Sequence, residues 1–302
     1  MKCTHTIHAH NCHHGWNNAN APALRIAPGE TIEFQTVDSS GGQLSAASTL
    51  ADLGRLDFAK VNPVTGPVSI DGAEPGDAIK VTLLEFGPSG WGWTANIPGF
   101  GLLADDFKDP ALHIWKYDAA TLAPALYGPG GKVPLKPFCG TIGLAPAEAG
   151  QHSVVPPRRM GGNMDIRDMA AGTELYLPVE VAGGLFSVGD THACQGDGEV
   201  CGTAVEYPST TTIQVDVIKG WALEWPRLEN EHRIMCIGSA RPLEDAARIA
   251  YKDLVLWMEA EYGFDRWDAY MMLSQCGVVR LGNFVDPKYT VGAGIEKKYL
   301  AP

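Results

Sequence analysis

Turn-forming residues interrupt this chain too often for long helices to dominate it. Among its 302 residues are 35 glycines and 21 prolines, which punctuate the sequence every few positions. In a helix interior glycine costs about 1 kcal/mol and proline about 3 kcal/mol relative to alanine. Such a chain favours short strands joined by tight turns.

The apolar pattern agrees. Thr31–Val37 follows the Pro28-Gly29 turn and alternates Ile32, Phe34 and Thr36 with Glu33 and Gln35, the signature of a half-buried strand. Ala78–Phe86 repeats that grammar after Pro75-Gly76-Asp77, and Thr173–Val179 and Thr211–Ile218 read as further strands. Glycine, proline and aromatic residues crowd Gly87–Gly101, Gly128–Pro137 and Gly161–Asp165, which read as loops and turns. Only Arg241–Tyr262 carries a broad helical stripe, with Pro242 near its start, and Trp267–Cys276 reads as a shorter helix before extended structure resumes over Val278–Tyr299. The expected fold is mainly β, with a β-sandwich or barrel-like core and a small α/β portion at the C-terminus. Residues 1–150 form an N-terminal β-rich region and residues 151–302 a motif-bearing β region with the C-terminal helices, together one catalytic unit. No alternating βαβ grammar supports a dinucleotide fold.

Charge and cysteine usage narrow the partners. Lys and Arg total 23 against 35 Asp and Glu, a net charge of −12, which argues against nucleic acid and against an anionic membrane surface. Seven cysteines without a CxxC pair fit a reducing compartment better than a disulfide framework. With no signal-like start and no run of eighteen apolar residues, a cytoplasmic protein is expected.

Chemistry concentrates in Gly189–Glu199. Asp190/His192 and Asp197/Glu199 are two pairs of metal-ligand types, each spaced i,i+2 and separated by a short polar turn. On extended flanks that spacing sends both members of a pair to one face. A hairpin there would aim three carboxylates and an imidazole at one small volume. A divalent ion in such a volume lowers the pKa of water from about 15.7 towards ~7 and polarises a carbonyl, which is what hydrolysis of an unreactive acyl group needs.

Several segments together resemble the acetamidase/formamidase family. They are His14-Gly15-Trp16-Asn17-Asn18 with Pro28-Gly29-Glu30-Thr31, Asn62–Pro67 with Gly72–Asp77, Pro137–Gly143, Gly161–Asp165 and Gly189–Glu206. They occur in the family's order across nearly the whole chain. The resemblance implies a β-sandwich-type core and a metal-bearing, homo-oligomeric enzyme that hydrolyses small linear amides to carboxylate and ammonia.

Within that frame Asp165, Asp190 and His192 are the expected metal ligands. Mixed oxygen and imidazole donors suit zinc first, with manganese or iron behind it. Glu199 is the expected general base, with a fourth ligand or a charge at the turn's rim as its alternatives. Asp197 and Glu206 are weaker candidates of the same type. Asn163 would hold the substrate oxygen through its amide, or serve as a turn residue. His14 would complete the site from elsewhere in the fold, or belong to a surface segment. Trp91, Trp93 and Phe100 would wall the pocket or form a subunit contact. Two rival readings remain open. One is a cysteine-nucleophile amidase using Cys139, Cys194 or Cys201. The other is a non-catalytic β-sandwich binding calcium or a small ligand through Asp190, Asp197 and Glu199.

Overall fold

The alternating segments identified above become the centre of a nine-stranded sheet. The structure is a computed structural model, and it describes residues 3–300. Across the sheet the order is His5–Ile7, Thr31–Gln35, Thr210–Ile218, Ala78–Gly87, Thr173–Pro178, Arg227–Glu229, Arg233–Ala240, Tyr289–Glu296 and Gly277–Leu281. The first pair is parallel and the remaining pairs are antiparallel. Strands from both halves of the sequence are thus interleaved in one sheet.

A second sheet runs Gly161–Asn163, Phe138–Gly143, Phe186–His192, Val64–Ile70 and Cys12–His13, with Leu24–Ile26 also paired to Val64–Ile70. The two sheets face each other. Ile32, Phe34, Val81, Leu83, Ile213 and Val215 of the larger meet Val68, Ile70, Ile142, Phe186 and Val188 of the smaller in one core. This is a sandwich, as the composition implies. Phe34 and Phe186 meet edge-to-face across it with ring centroids 5.6 Å apart, a geometry that the aromatic quadrupole favours. Phe186→Ala is expected to cost about 3–5 kcal/mol. Chemical denaturation measures this, and a loss below about 1 kcal/mol would show that the sheets do not rely on this contact.

The helices Leu243–Tyr262 and Arg266–Cys276 cover the outer face of the larger sheet. Ala246, Ala250, Leu254, Trp257 and Met258 form the buried stripe of the first. It stops at Gly263, whose φ of 70° is readily adopted by glycine and whose N–H caps Met258 O. Arg233–Ala240 is consequently buried on both sides: Ile234 and Cys236 pack among the helix residues, Met235 and Ile237 in the sandwich core. Among the described residues no helix is long and apolar enough to cross a membrane.

Three segments expected as loops contain strands. Trp91–Asn96, within Gly87–Gly101, pairs antiparallel with Ala111–Lys116. Gly131–Val133, within the Gly128–Pro137 connection, pairs with Ala125–Tyr127, and Gly161–Asn163 joins Phe138–Gly143. Local turn chemistry does not reveal these strands: Trp91–Asn96 and Gly161–Asn163 take partners well separated in the chain, and Gly131–Val133 is a three-residue arm of a hairpin too short to show alternation. Trp93 is additionally held inside by an Nε1–H bond of 2.8 Å to Asp38 Oδ1.

Candidate active site

At one end of the smaller sheet, three non-adjacent segments converge. The strand Phe138–Gly143 lies between Gly161–Asn163 and Phe186–His192, so the chain following Asn163 and the end of the latter strand approach each other beside Gly140. The amides of Met164 and Asp165 both donate to Gly140 O at 3.1 Å. Asp165, Asp190 and Glu199 have φ of 54°, 50° and 49°. Non-glycine residues seldom occupy this left-handed region, and such strain collects at functional sites.

Asp165, Asp190 and His192 come together as one group of potential ligands, and His192, Glu199 and Glu206 as another. Within each group the ligand atoms lie within 4.8 Å of one another, and all five residues are buried. The imidazole is common to both. His192 Nε2 lies 3.2 Å from both Asp190 Oδ1 and Glu206 Oε2.

The other side of the ring is fixed by Gln195. Its Nε2 donates to Asp165 O and to Gly282 O, each at 2.9 Å, which turns its Oε1 towards His192 Nδ1 at 2.8 Å. Nδ1 therefore carries a hydrogen and Nε2 is aimed at the carboxylates, donating to them when the ring is protonated and offering its lone pair to a cation when it is neutral. Orientation of a ligating histidine by such a bond is the usual arrangement around metals. Gln195→Leu is expected to weaken zinc binding about 10–100-fold, read by competition with a chromophoric chelator; unchanged affinity would deny Gln195 its orienting role.

The remaining carboxylates are held by hydrogen bonds. Asp165 Oδ2 accepts from Asn283 Nδ2 at 2.9 Å, while its Oδ1 is buried with no hydrogen-bond partner. Asp190 Oδ2 accepts from Thr141 Oγ1 at 3.1 Å. Glu206 accepts from Ser39 Oγ at 2.8 Å and from the Ala204 amide at 2.7 Å. Glu206 is itself held in place by reciprocal 2.9 Å backbone bonds with Trp93.

Charge in the cluster is unbalanced. Asp165, Asp190, Glu199, Glu206 and Asp286 surround a single imidazole. Burial, with Asp190 beside it, pushes Asp165 up to about 8. Burial and Asp165 raise Glu199 well above the usual carboxylate range, and burial likewise lifts Glu206 and Asp286. Burial alone would lower His192, but Glu206 and Asp190 overcome it and raise the imidazole well above its ordinary value. Asp190 goes the opposite way: burial opposes its charge, yet His192 holds it below the usual range. Crowded acids either share protons or take up a cation, and a bound cation reverses these shifts. The unpartnered Asp165 Oδ1, the oriented imidazole and the surplus of carboxylates fit a divalent metal ion.

The cluster closes the inner end of a cavity of about 410 Å³. Asn163, Asp190, Glu199, Glu206 and Asp286 line its polar end; Leu56, Phe58, Trp93, Ile97 and Phe100 are among the residues of its apolar walls. Among the described residues, no lysine or arginine lines it.

A family model described as the Acetamidase/Formamidase family matches residues 2–154 and 147–291. The chain belongs to that family. It is 44% identical to an acetamidase from Yersinia enterocolitica of known structure, with a TM-score of 0.90 over 100% of this chain and 94% of that one. An acetamidase structure from Bacillus halodurans is 30% identical, with a TM-score of 0.90 over 97% and 98% of the two chains. A formamidase from Methylophilus methylotrophus is 30% identical over 111 residues, 35% of this chain, and the matched stretch spans 27% of that enzyme's length.

Not every expected residue reaches the site of this family member. Asp197 faces outward and pairs with Arg167 at 2.8 Å, because strand alternation ends at His192 and a turn around Gly196 carries Glu199 inward alone. His14 is exposed and lies outside both ligand groups and the cavity lining. Asn163 does line the cavity, but its amide is already engaged. Its Oδ1 accepts from Thr141 at 2.6 Å, and its Nδ2 donates to Asp286 Oδ2 at 2.8 Å and to Val155 O at 3.2 Å. Trp93 and Phe100 line the cavity and Trp91 does not.

Burial pushes the Cys139 and Cys194 thiols up, which disfavours the thiolate that a nucleophile requires. Cys201 Sγ donates to Thr203 O at 3.2 Å. The imidazole among the oxygens also suits calcium poorly.

Sequence reasoning missed Asp286, Asn283, Gln195 and Thr141. Asp286 and Asn283 lie far along the chain from the motif blocks and carry no telling spacing. Gln195 was within reach, since it sits three residues after His192 inside the chemical block.

Proposed function

We propose that this chain is an amidohydrolase cleaving small linear amides to carboxylate and ammonia, with a divalent cation, zinc first, held by Asp165, Asp190 and His192. The observation that carries the reading is the ring of buried carboxylates around His192 Nε2, closing a cavity with apolar walls. Glu206 flanks the same imidazole and supplies a further oxygen. When bound, the ion polarises the amide carbonyl and acidifies water.

The protein's own groups move the proton. Glu199 faces the cavity and makes no side-chain hydrogen bond among the described residues. Its unpaired carboxylate at the cavity face suits it to take a proton from the attacking water and deliver it to the departing nitrogen, so that ammonia leaves and not amide anion. Asn163 acts as a positioning residue: it holds Asp286 and, through Thr141, the Asp190 carboxylate. All seven cysteines are free, which fits the proposed cytoplasmic setting. The family resemblance supports a homo-oligomer.

Elemental analysis paired with an ammonia-release assay tests this reading. Chelation is expected to abolish ammonia release, and zinc to restore it. Full activity in demonstrably metal-free protein would overturn the mechanism.

A further inference from the structure

We infer that the preferred substrate is an uncharged primary amide with a bulky apolar acyl group of about aryl size, in place of a one- or two-carbon amide. The inference rests on the amidohydrolase reading above and deepens it. Acetamide has four non-hydrogen atoms, on the order of 100 Å³ by comparison with about 30 Å³ for a liquid water. It would fill roughly a quarter of a cavity of about 410 Å³. Sites of that size bury ligands several times larger, and burial of the ligand is where such pockets gain their affinity.

The cavity's chemistry is divided to match. Polar groups gather at the inner end, where the amide would lie against Glu199 and the carboxylate cluster. Beyond them the side chains of Leu56, Phe58, Ile97, Pro98 and Phe100 form a largely apolar wall, interrupted by Asn62, and the Trp93 ring is fixed by its bond to Asp38. Among the described residues, every carboxylate lining the cavity belongs to the cluster and no lysine or arginine lines it. An anionic tail would be desolvated there without a cationic side chain to pair with, at a cost that selects against it. An aromatic tail instead finds an aromatic and aliphatic wall from Trp93 out to Phe58.

The test is kcat/KM by ammonia release from the full chain as purified, with acetamide, butyramide, benzamide and phenylacetamide, together with calorimetric titration of acetamide and phenylacetamide. Phenylacetamide or benzamide is expected to exceed acetamide by at least about tenfold in kcat/KM, since each added methylene in an apolar pocket contributes about 10–200-fold. Phenylacetamide is also expected to bind more tightly. Phe58→Ala, at a side chain 61% exposed and outside the core, is expected to lower the aryl-to-acetamide ratio several-fold. An aryl-to-acetamide ratio of one or less, phenylacetamide binding no tighter than acetamide, or a ratio unmoved by Phe58→Ala overturns the inference while leaving the amidohydrolase reading in place. Hydrolysis of none of the four amides would overturn both.

Discussion

Replacing Asp190 by asparagine is expected to abolish ammonia release and stoichiometric metal binding while leaving a folded protein. Asp190 contributes one oxygen to the group with Asp165 and His192, and its other oxygen is held by Thr141. Asparagine keeps the shape and removes the charge. A bound divalent ion supplies several kcal/mol of stabilisation to the developing charge, so at least about 10³-fold should be lost from kcat/KM at about 1.36 kcal/mol per decade. Folding should survive, because asparagine keeps the shape, its side-chain oxygen can still accept from Thr141, and Glu206 remains beside His192. Circular dichroism, elemental analysis and the amide assay decide the matter together. A variant that keeps both metal and activity would remove Asp190 from the ligand set.

Gly140→Ala is expected to disable the site from behind. A Cβ at this position would lie 2.7 Å from Asp165 Oδ1, 2.8 Å from the Asp190 carbonyl and 2.8 Å from His192 Cε1. The carbonyl belongs to a paired strand and has little room to yield. The added methyl therefore moves the ligands, and a displacement near 1 Å costs on the order of 10²-fold in rate. Stability should fall by about 1–3 kcal/mol, as for overpacked cores elsewhere. Gly196→Ala provides the contrast: no atom lies within 4 Å of its added Cβ, and near-normal activity is expected. Equal activity in the two variants would show that close packing at Gly140 does not set the ligand geometry.

These two residues also mark how far the sequence could be read. Asp190 announces itself through its spacing to His192, since period-two alternation puts both on one face of Phe186–His192. The same rule misplaced Asp197, because it holds only while the backbone stays extended. Gly140 carries no side-chain signal, and its role appears only when three segments meet around it. Strands with one polar face, such as Thr31–Gln35 and Thr210–Ile218, were legible from alternation. Arg233–Ala240 alternates between two apolar environments and so shows no pattern in hydropathy. Glu206, only a weaker candidate by sequence, lies 3.2 Å from His192 with its backbone paired to Trp93.

By itself the sequence determined a β-rich chain, through its density of turn formers and its alternating strands. It also determined the donor types of the chemical block and, through ordered motifs, the family. Tertiary structure alone decided which carboxylates share a volume. Local spacing governs direction over two or three residues, whereas Asp165, Asp190, Glu206 and Asp286 are joined by sheet pairing and burial across more than a hundred positions. It also decided the cavity's size and its carbon walls, because those surfaces come from segments that meet only once the sheets and loops have packed.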